Sequence, residues 1–160
     1  AGTISIPASA FEATIEAAAR SLRRHGLRDI VLLGDHGGYR ASLDRVAAKL
    51  NREWGTAAQV HALPEYYRAA QDDFAAALAA RGFAGSEIGS HAGLADTALM
   101  LALDPSQVRS AVLAGRPRGA QPDGVVGDPR RATAELGRPA VDHIVDVCVA
   151  AIRARARAAK

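Results

Sequence analysis

His36 sits in Asp35-His36-Gly37-Gly38, directly after the apolar run Ile30-Val31-Leu32-Leu33. An imidazole at the carboxyl end of a buried strand is how α/β proteins place a ligand or a base in a cleft. The two glycines let the main chain approach a metal or a substrate with no side chain in the way. A second junction, Gly89-Ser90-His91-Ala92-Gly93 followed by Asp96, leads into a helical pattern. Two His-Xaa-Gly turns of this kind predict one site built from two loops. Each residue also has a plainer reading. His36 could be a loop histidine with no ligand, and His91 could pack or cap a helix start. Asp96 could be a carboxylate favoured by a helix amino terminus.

The elements that position these loops follow from periodicity. Ser9-Ala10-Phe11-Glu12 reads as a capping box, and Phe11, Ile15, Ala18 and Leu22 follow helical spacing up to His25-Gly26. Asp29 to Leu33 reads as a buried strand. Leu43, Val46, Ala47, Leu50 and Trp54 mark a second amphipathic helix, and Gln59 to Leu63 a second strand stopped by Pro64. Tyr66 and Tyr67 follow in a loop or helix start. Asp72 to Ala80 reads as helix, Gly82 to Gly89 as loop with Glu87 a solvated acid, and Leu94 to Leu103 as helix. Val108 to Leu113 is a weak third strand. Residues 115–127 are irregular, and Asp128-Pro129 opens a final helix or two, with Pro139 as a break or a start. Strands alternating with helices give an α/β fold.

Composition excludes several classes. Nearly half the residues are apolar (49%), which rules out disorder, and no apolar run approaches the roughly 20 residues of a membrane span. The net charge of +3 is concentrated in Arg116, Arg118, Arg130, Arg131 and the tail Arg153 to Lys160. No aromatics interleave with these cations, so the tail reads as a solvated helix end and not a nucleic-acid surface. The single cysteine, Cys148, excludes an intrachain disulfide and reads as a packed helical thiol. His25, His61 and His143 have no motif context.

Four blocks resemble the creatininase family. Gly2-Thr3-Ile4-Ser5-Ile6-Pro7 is similar to PGTISL, and Gly34-Asp35-His36-Gly37-Gly38 to the NGHGGN that ends a family strand. His91-Ala92-Gly93-Leu94-Ala95-Asp96-Thr97-Ala98-Leu99-Met100-Leu101 resembles HAGxxETSLML. Gly124-Val125-Val126-Gly127-Asp128-Pro129 with Ala132 to Gly137 resembles GVxGDPxxATAExG. The blocks stand in the family's order. There are departures: Tyr39 replaces an Asn, Gly38 stands where creatininase has a Glu ligand, and Asp96 stands for the Glu of ETS. The family's amino-terminal Glu-x-His and later Asp have no counterpart in residues 1–160.

The resemblance implies a three-layer creatininase-like sheet flanked by helices, with the sheet incomplete in this chain, and residues 1–160 as one domain covering the carboxyl-terminal two thirds of the family's. It implies metal-dependent hydrolysis of a C–N bond in a small cyclic or linear amide. His36 would be a metal ligand for zinc, manganese or iron, Asp96 a further ligand or a residue that orients a histidine, and Asp35 a residue behind the ligands. His91 would be the proton shuttle. Gly37 and Gly38 would offer N–H groups to the oxyanion, and Tyr66 and Tyr67 would lie against substrate. It also implies homo-oligomers, a hexamer among them, in which the helix Leu94 to Leu103 is a candidate buried surface. The alternative is a binding or assembly module that has kept the fold and lost the metal site. A cytoplasmic location is expected, or a periplasmic or secreted one if a leader precedes Ala1.

Overall fold

The structure is a computed structural model that describes residues 5–117 and 123–158. The chain forms two compact units: Ala1–Tyr67 with Val147–Lys160, and Arg68–Asp146.

The first unit holds helix α1 (Ala8–Arg24), strand β1 (Asp29–Leu32), helix α2 (Arg40–Trp54), strand β2 (Gln59–Ala62), helix α3 (Pro64–Tyr67) and the end of helix α8 (Ala134–Ala158). The strands are parallel, with Ile30 opposite Val60 and Leu32 opposite Ala62. Parallel strands need a crossover, and α2 supplies it. Its apolar residues fall where the spacing placed them: Leu43, Val46, Ala47, Leu50 and Trp54 are all buried. Val46, Ala47, Leu50 and Trp54 close on Ala19 of α1 and on Ile30 and Val60 of the sheet. Asn51 faces the outer edge of β2, donating to the Val60 carbonyl (2.8 Å) and accepting from its N–H (2.7 Å). A side-chain amide thus occupies part of an edge that another strand could otherwise join. The capping box expected at Ser9 does not form. Helix α1 begins two residues earlier than a Ser9 cap would start it, after Pro7, whose carbonyl accepts from the Ala10 and Phe11 N–H groups. Pro7, held extended, sets that boundary and leaves Ser9 inside the first turn.

The second unit is helical. A π-helical turn (Arg68–Asp73) runs into α4 (Phe74–Ala80), then α5 (Gly85–Ile88), α6 (Leu94–Leu103), α7 (Ser110–Ala114) and the start of α8. Phe74, Leu78, Ile88, Leu94, Ala95, Ala98, Leu136 and Ala140 form its core. Residues 108–113 are not the expected strand. Most of the segment is α7, because the described residues of this unit offer no strand for it to pair with, and an unpaired strand is not stable. The expected loop 82–89 contains α5, and Glu87 on it is half-buried and ion-paired to Arg131 (3.0 Å), not solvated. Pro139 neither breaks nor starts a helix: α8 continues through it. Among the described residues no helix is long and apolar enough to cross a membrane.

Candidate functional site

Each unit carries one of the two loops. In the first, β1 runs into Gly34 and Asp35, and the chain then folds back on itself in a short 3₁₀ turn, Gly37–Tyr39. The Tyr39 hydroxyl closes the loop: it donates to Asp35 Oδ1 and accepts from the Asp35 N–H (3.2 Å). Burial first, and the Asp35 hydrogen bond second, push the Tyr39 phenol above its ordinary value, so it remains a donor at neutral pH. Gly34 is buried beneath this ring, and a Cβ there would lie 2.8 Å from Leu43 Cδ1 and 2.9 Å from Tyr39. Phe11 and His36 both pack against the Tyr39 ring, at centroid distances of 5.2 and 5.7 Å.

His36 is exposed, and its Nδ1 accepts from the Gly38 N–H at 3.0 Å. With Nδ1 accepting, the neutral ring carries its proton on Nε2. The Gly38 N–H expected at an oxyanion is therefore spent on His36, which leaves Gly37 alone for that role. Gly37 lies against Tyr67, whose hydroxyl would be 3.0 Å from a Cβ placed there. Tyr67 is half-buried, and the Arg40 guanidinium stacks on its ring at 4.6 Å. The Tyr66 phenol is raised by burial, then by the Asp35 charge. Burial pushes the Cys148 thiol up as well, so it is a poor nucleophile, in keeping with a packing role.

His91, in the second unit, stands exposed on a turn that is held from several sides. It pairs with Val126 as an antiparallel bridge, the Val126 N–H donating to the His91 carbonyl at 2.8 Å. The Ser90 N–H donates to the Val126 carbonyl, also at 2.8 Å. Three glycines make this crossing possible. A Cβ on Gly89 would stand 2.0 Å from the Val126 carbonyl oxygen, one on Gly93 2.4 Å from that of Ile88, and one on Gly127 2.8 Å from Gly93 Cα. The next residue, Ala92, has φ +50°, and it is the one non-glycine in the left-handed region among the described residues. Asp96, in the first turn of α6, accepts from the Ala92 N–H at 2.8 Å. A cleft of about 410 Å³ opens beside the turn. Ala92, Asp96 and Thr97 line one side, and Met100, Val112 and Leu113 provide apolar surface. A second cavity of about 370 Å³, between α4 and α8, is lined by none of the predicted site residues.

Beyond the turn, Asp128 caps the 3₁₀ turn that leads to α8 and pairs with the Arg130 guanidinium. That hydrogen bond holds the Asp128 carboxyl down to about 2. Its folded pKa lies below its unfolded one, so the pair stabilises the fold above the unfolded value and is lost as pH falls from about 4 to about 2. The urea midpoint of the second unit is expected to drop across that window. Asp128→Asn should flatten the drop while lowering the midpoint at pH 7, and a variant as acid-sensitive as the wild type would show that other carboxylates carry it.

Periodicity and motif reading singled out the two histidines. They missed the glycine crossing, Tyr39 and the left-handed Ala92. The spacing Gly89-Xaa3-Gly93 was the available signal for the first. The described residues bring no three His, Cys, Asp or Glu side chains together as a metal ion requires. Of the residues next to His36 in the chain, Asp35 has one oxygen held by Tyr39, and Gly38 offers no side chain. Asp96 spends one oxygen on Ala92. These residues do not by themselves make the roughly four-ligand shell of zinc.

A family model described as creatininase, creatinine amidohydrolase, matches residues 1–152. A solved creatinine amidohydrolase (creatininase) is similar at 25% identity and a TM-score of 0.69, over 94% of this chain and 65% of that one. A mutant creatininase of Zn-Zn type is similar at 23% identity and a TM-score of 0.67, over 96% of this chain and 66% of that one. The chain thus spans just under two thirds of the length of these structures. No curated protein sequence matches it.

Proposed function

The chain belongs to the creatininase family, and on that premise we propose that it carries part of an amidohydrolase site which hydrolyses a C–N bond in a small cyclic or linear amide. One observation carries the reading: the exposed His91, on a turn fixed by main-chain pairing to Val126, whose next residue, Ala92, lines a cleft of about 410 Å³. Amide hydrolysis stalls unless the leaving nitrogen is protonated, and an imidazole that titrates near neutrality is suited to give that proton. His91 donates it in this proposal. The His36 loop, taken by itself, offers the Gly37 N–H as a donor of the kind a developing oxyanion needs. Tyr66 and Tyr67, in the same unit as that loop, carry amphipathic rings of the kind that lie against a small amide.

A divalent ion, zinc or manganese, enters this reading through His36, as one ligand of a shell that the described residues do not complete. The same donor set favours a second reading, a creatininase-fold binding module without chemistry. Copies of the chain assembling with one another belong to either reading. Met100 and Leu103 are exposed on α6, while Leu94, Ala95, Ala98 and Ala102 are consumed by the core.

Elemental analysis of protein equilibrated with zinc or manganese, wild type beside His36→Ala, is combined with release of amine or acid from a panel of cyclic and linear amides. The enzyme reading expects bound metal that His36→Ala removes, and turnover of at least one amide. Equal metal in both proteins with no turnover on any amide supports the module and overturns the enzyme.

A further inference from the structure

The His91 turn combines two features that do not coexist without help. Ala92 carries a Cβ and yet sits at φ +50°, a conformation that costs an L-residue energy and that glycine adopts freely. The same residue points its N–H at Asp96 Oδ2, at 2.8 Å, and its carbonyl accepts from the Thr97 hydroxyl at 3.4 Å. Asp96 sits in the first turn of α6, where the helix dipole favours a carboxylate. We propose that Asp96 is a positioning residue for His91, acting through the Ala92 main chain. Its carboxylate holds the left-handed Ala92, and the left-handed Ala92 sets the direction in which the chain presents His91. As a catalytic statement this rests on the amidohydrolase reading above. As a statement about the turn it stands on the hydrogen bond and the φ value.

Three observations support a clamp over a ligand role. First, the bond runs to main chain, so it fixes the backbone next to His91. Second, the other side of His91 is already fixed, by the Val126 bridge and the Gly89, Gly93 and Gly127 crossing, so Asp96 closes the one remaining flank. Third, Asp96 belongs to no group of three or more His, Cys, Asp or Glu side chains that could hold a metal ion among the described residues.

The test compares Asp96→Ala with Asp96→Asn, whose amide oxygen can still accept from the Ala92 N–H. In Asp96→Ala, exchange of the Ala92 amide is expected to speed up about tenfold or more, as that of a freed amide does. The ring resonances of His91 should shift, and kcat should fall about tenfold with KM little changed, as misplacing a reacting group does. Asp96→Asn should recover most of each change. Adding Ala92→Gly to Asp96→Ala should recover part of the turn's stability, because glycine needs no clamp to reach φ +50°. The exchange and ring readouts need no substrate, so they decide the inference even if the amidohydrolase reading fails. Unaltered Ala92 exchange in Asp96→Ala would overturn it. So would an Asp96→Asn protein as impaired as Asp96→Ala that has lost bound metal, since that outcome marks a ligand.

Discussion

Gly89→Ala is expected to cost the second unit about 2–5 kcal/mol, a large fraction of the stability of a domain. The sum has two parts. Overpacking a close contact costs about 1–3 kcal/mol, and forcing an L-residue into the left-handed region about 1–2 kcal/mol more. Both apply at Gly89, which has φ +70° and would place its Cβ 2.0 Å from the Val126 carbonyl oxygen. That atom is main chain and cannot rotate away. It is also the acceptor for the Ser90 and His91 N–H groups, so moving it breaks the pairing that sets the His91 turn. Gly127 faces the same crossing from the Val126 side. Gly124→Ala is the internal control: φ is +86°, yet nothing lies within 4 Å of the added carbon, so only the backbone part should appear, about 1–2 kcal/mol. Urea denaturation of the three proteins, followed by a probe in the second unit, separates the parts. Equal losses for Gly89→Ala and Gly124→Ala would show that the crossing is looser than the distances imply.

The contrast between these glycines explains what a sequence can and cannot disclose here. Helix α2 was legible because its burial repeats at the helical period, so Leu43, Val46, Ala47, Leu50 and Trp54 declare one face. The two strands were legible for the same local reason, as short apolar runs between turn signals. The crossing at Gly89, Gly93 and Gly127 is nonlocal. Its constraint is the absence of a side chain at three points over thirty residues apart in part, and no periodicity records that. Residues 108–113 misled because Val108 and Val112 favour a strand only when another strand is there to pair with. The candidate site was legible as residue types in motifs: His36, His91 and Asp96 stood out at once. Their hydrogen bonds were not. Nothing in Asp35-His36-Gly37-Gly38-Tyr39 announces that Tyr39 ties back to Asp35, or that Gly38 serves His36 Nδ1. Those depend on the rotamers chosen once Gly34 admits the Tyr39 ring.

His91→Ala is expected to lower turnover of a hydrolysed amide by about 10²–10⁴-fold, the usual range for a lost general acid. The fold should not follow. The His91 side chain is exposed, and its structural bonds, to Val126, are made by main chain that any residue supplies. Surface replacements of that kind change stability by about 0.5 kcal/mol or less. His91→Gln makes the sharper comparison: it keeps a polar side chain of similar reach but cannot cycle a proton near neutral pH. If the side chain matters only for binding, glutamine should restore most of the rate. If it matters for proton transfer, both variants should fail alike, with KM shifted far less than kcat, because the lost interaction is made with the leaving nitrogen as its bond breaks. Metal content should equal that of the wild type in both, since the proposal makes His91 the proton donor and His36 the metal ligand. Unchanged turnover in His91→Ala, on an amide that the wild type hydrolyses, would remove His91 from the reaction and move the search for the proton donor to the Tyr66 and Tyr67 hydroxyls beside the His36 loop.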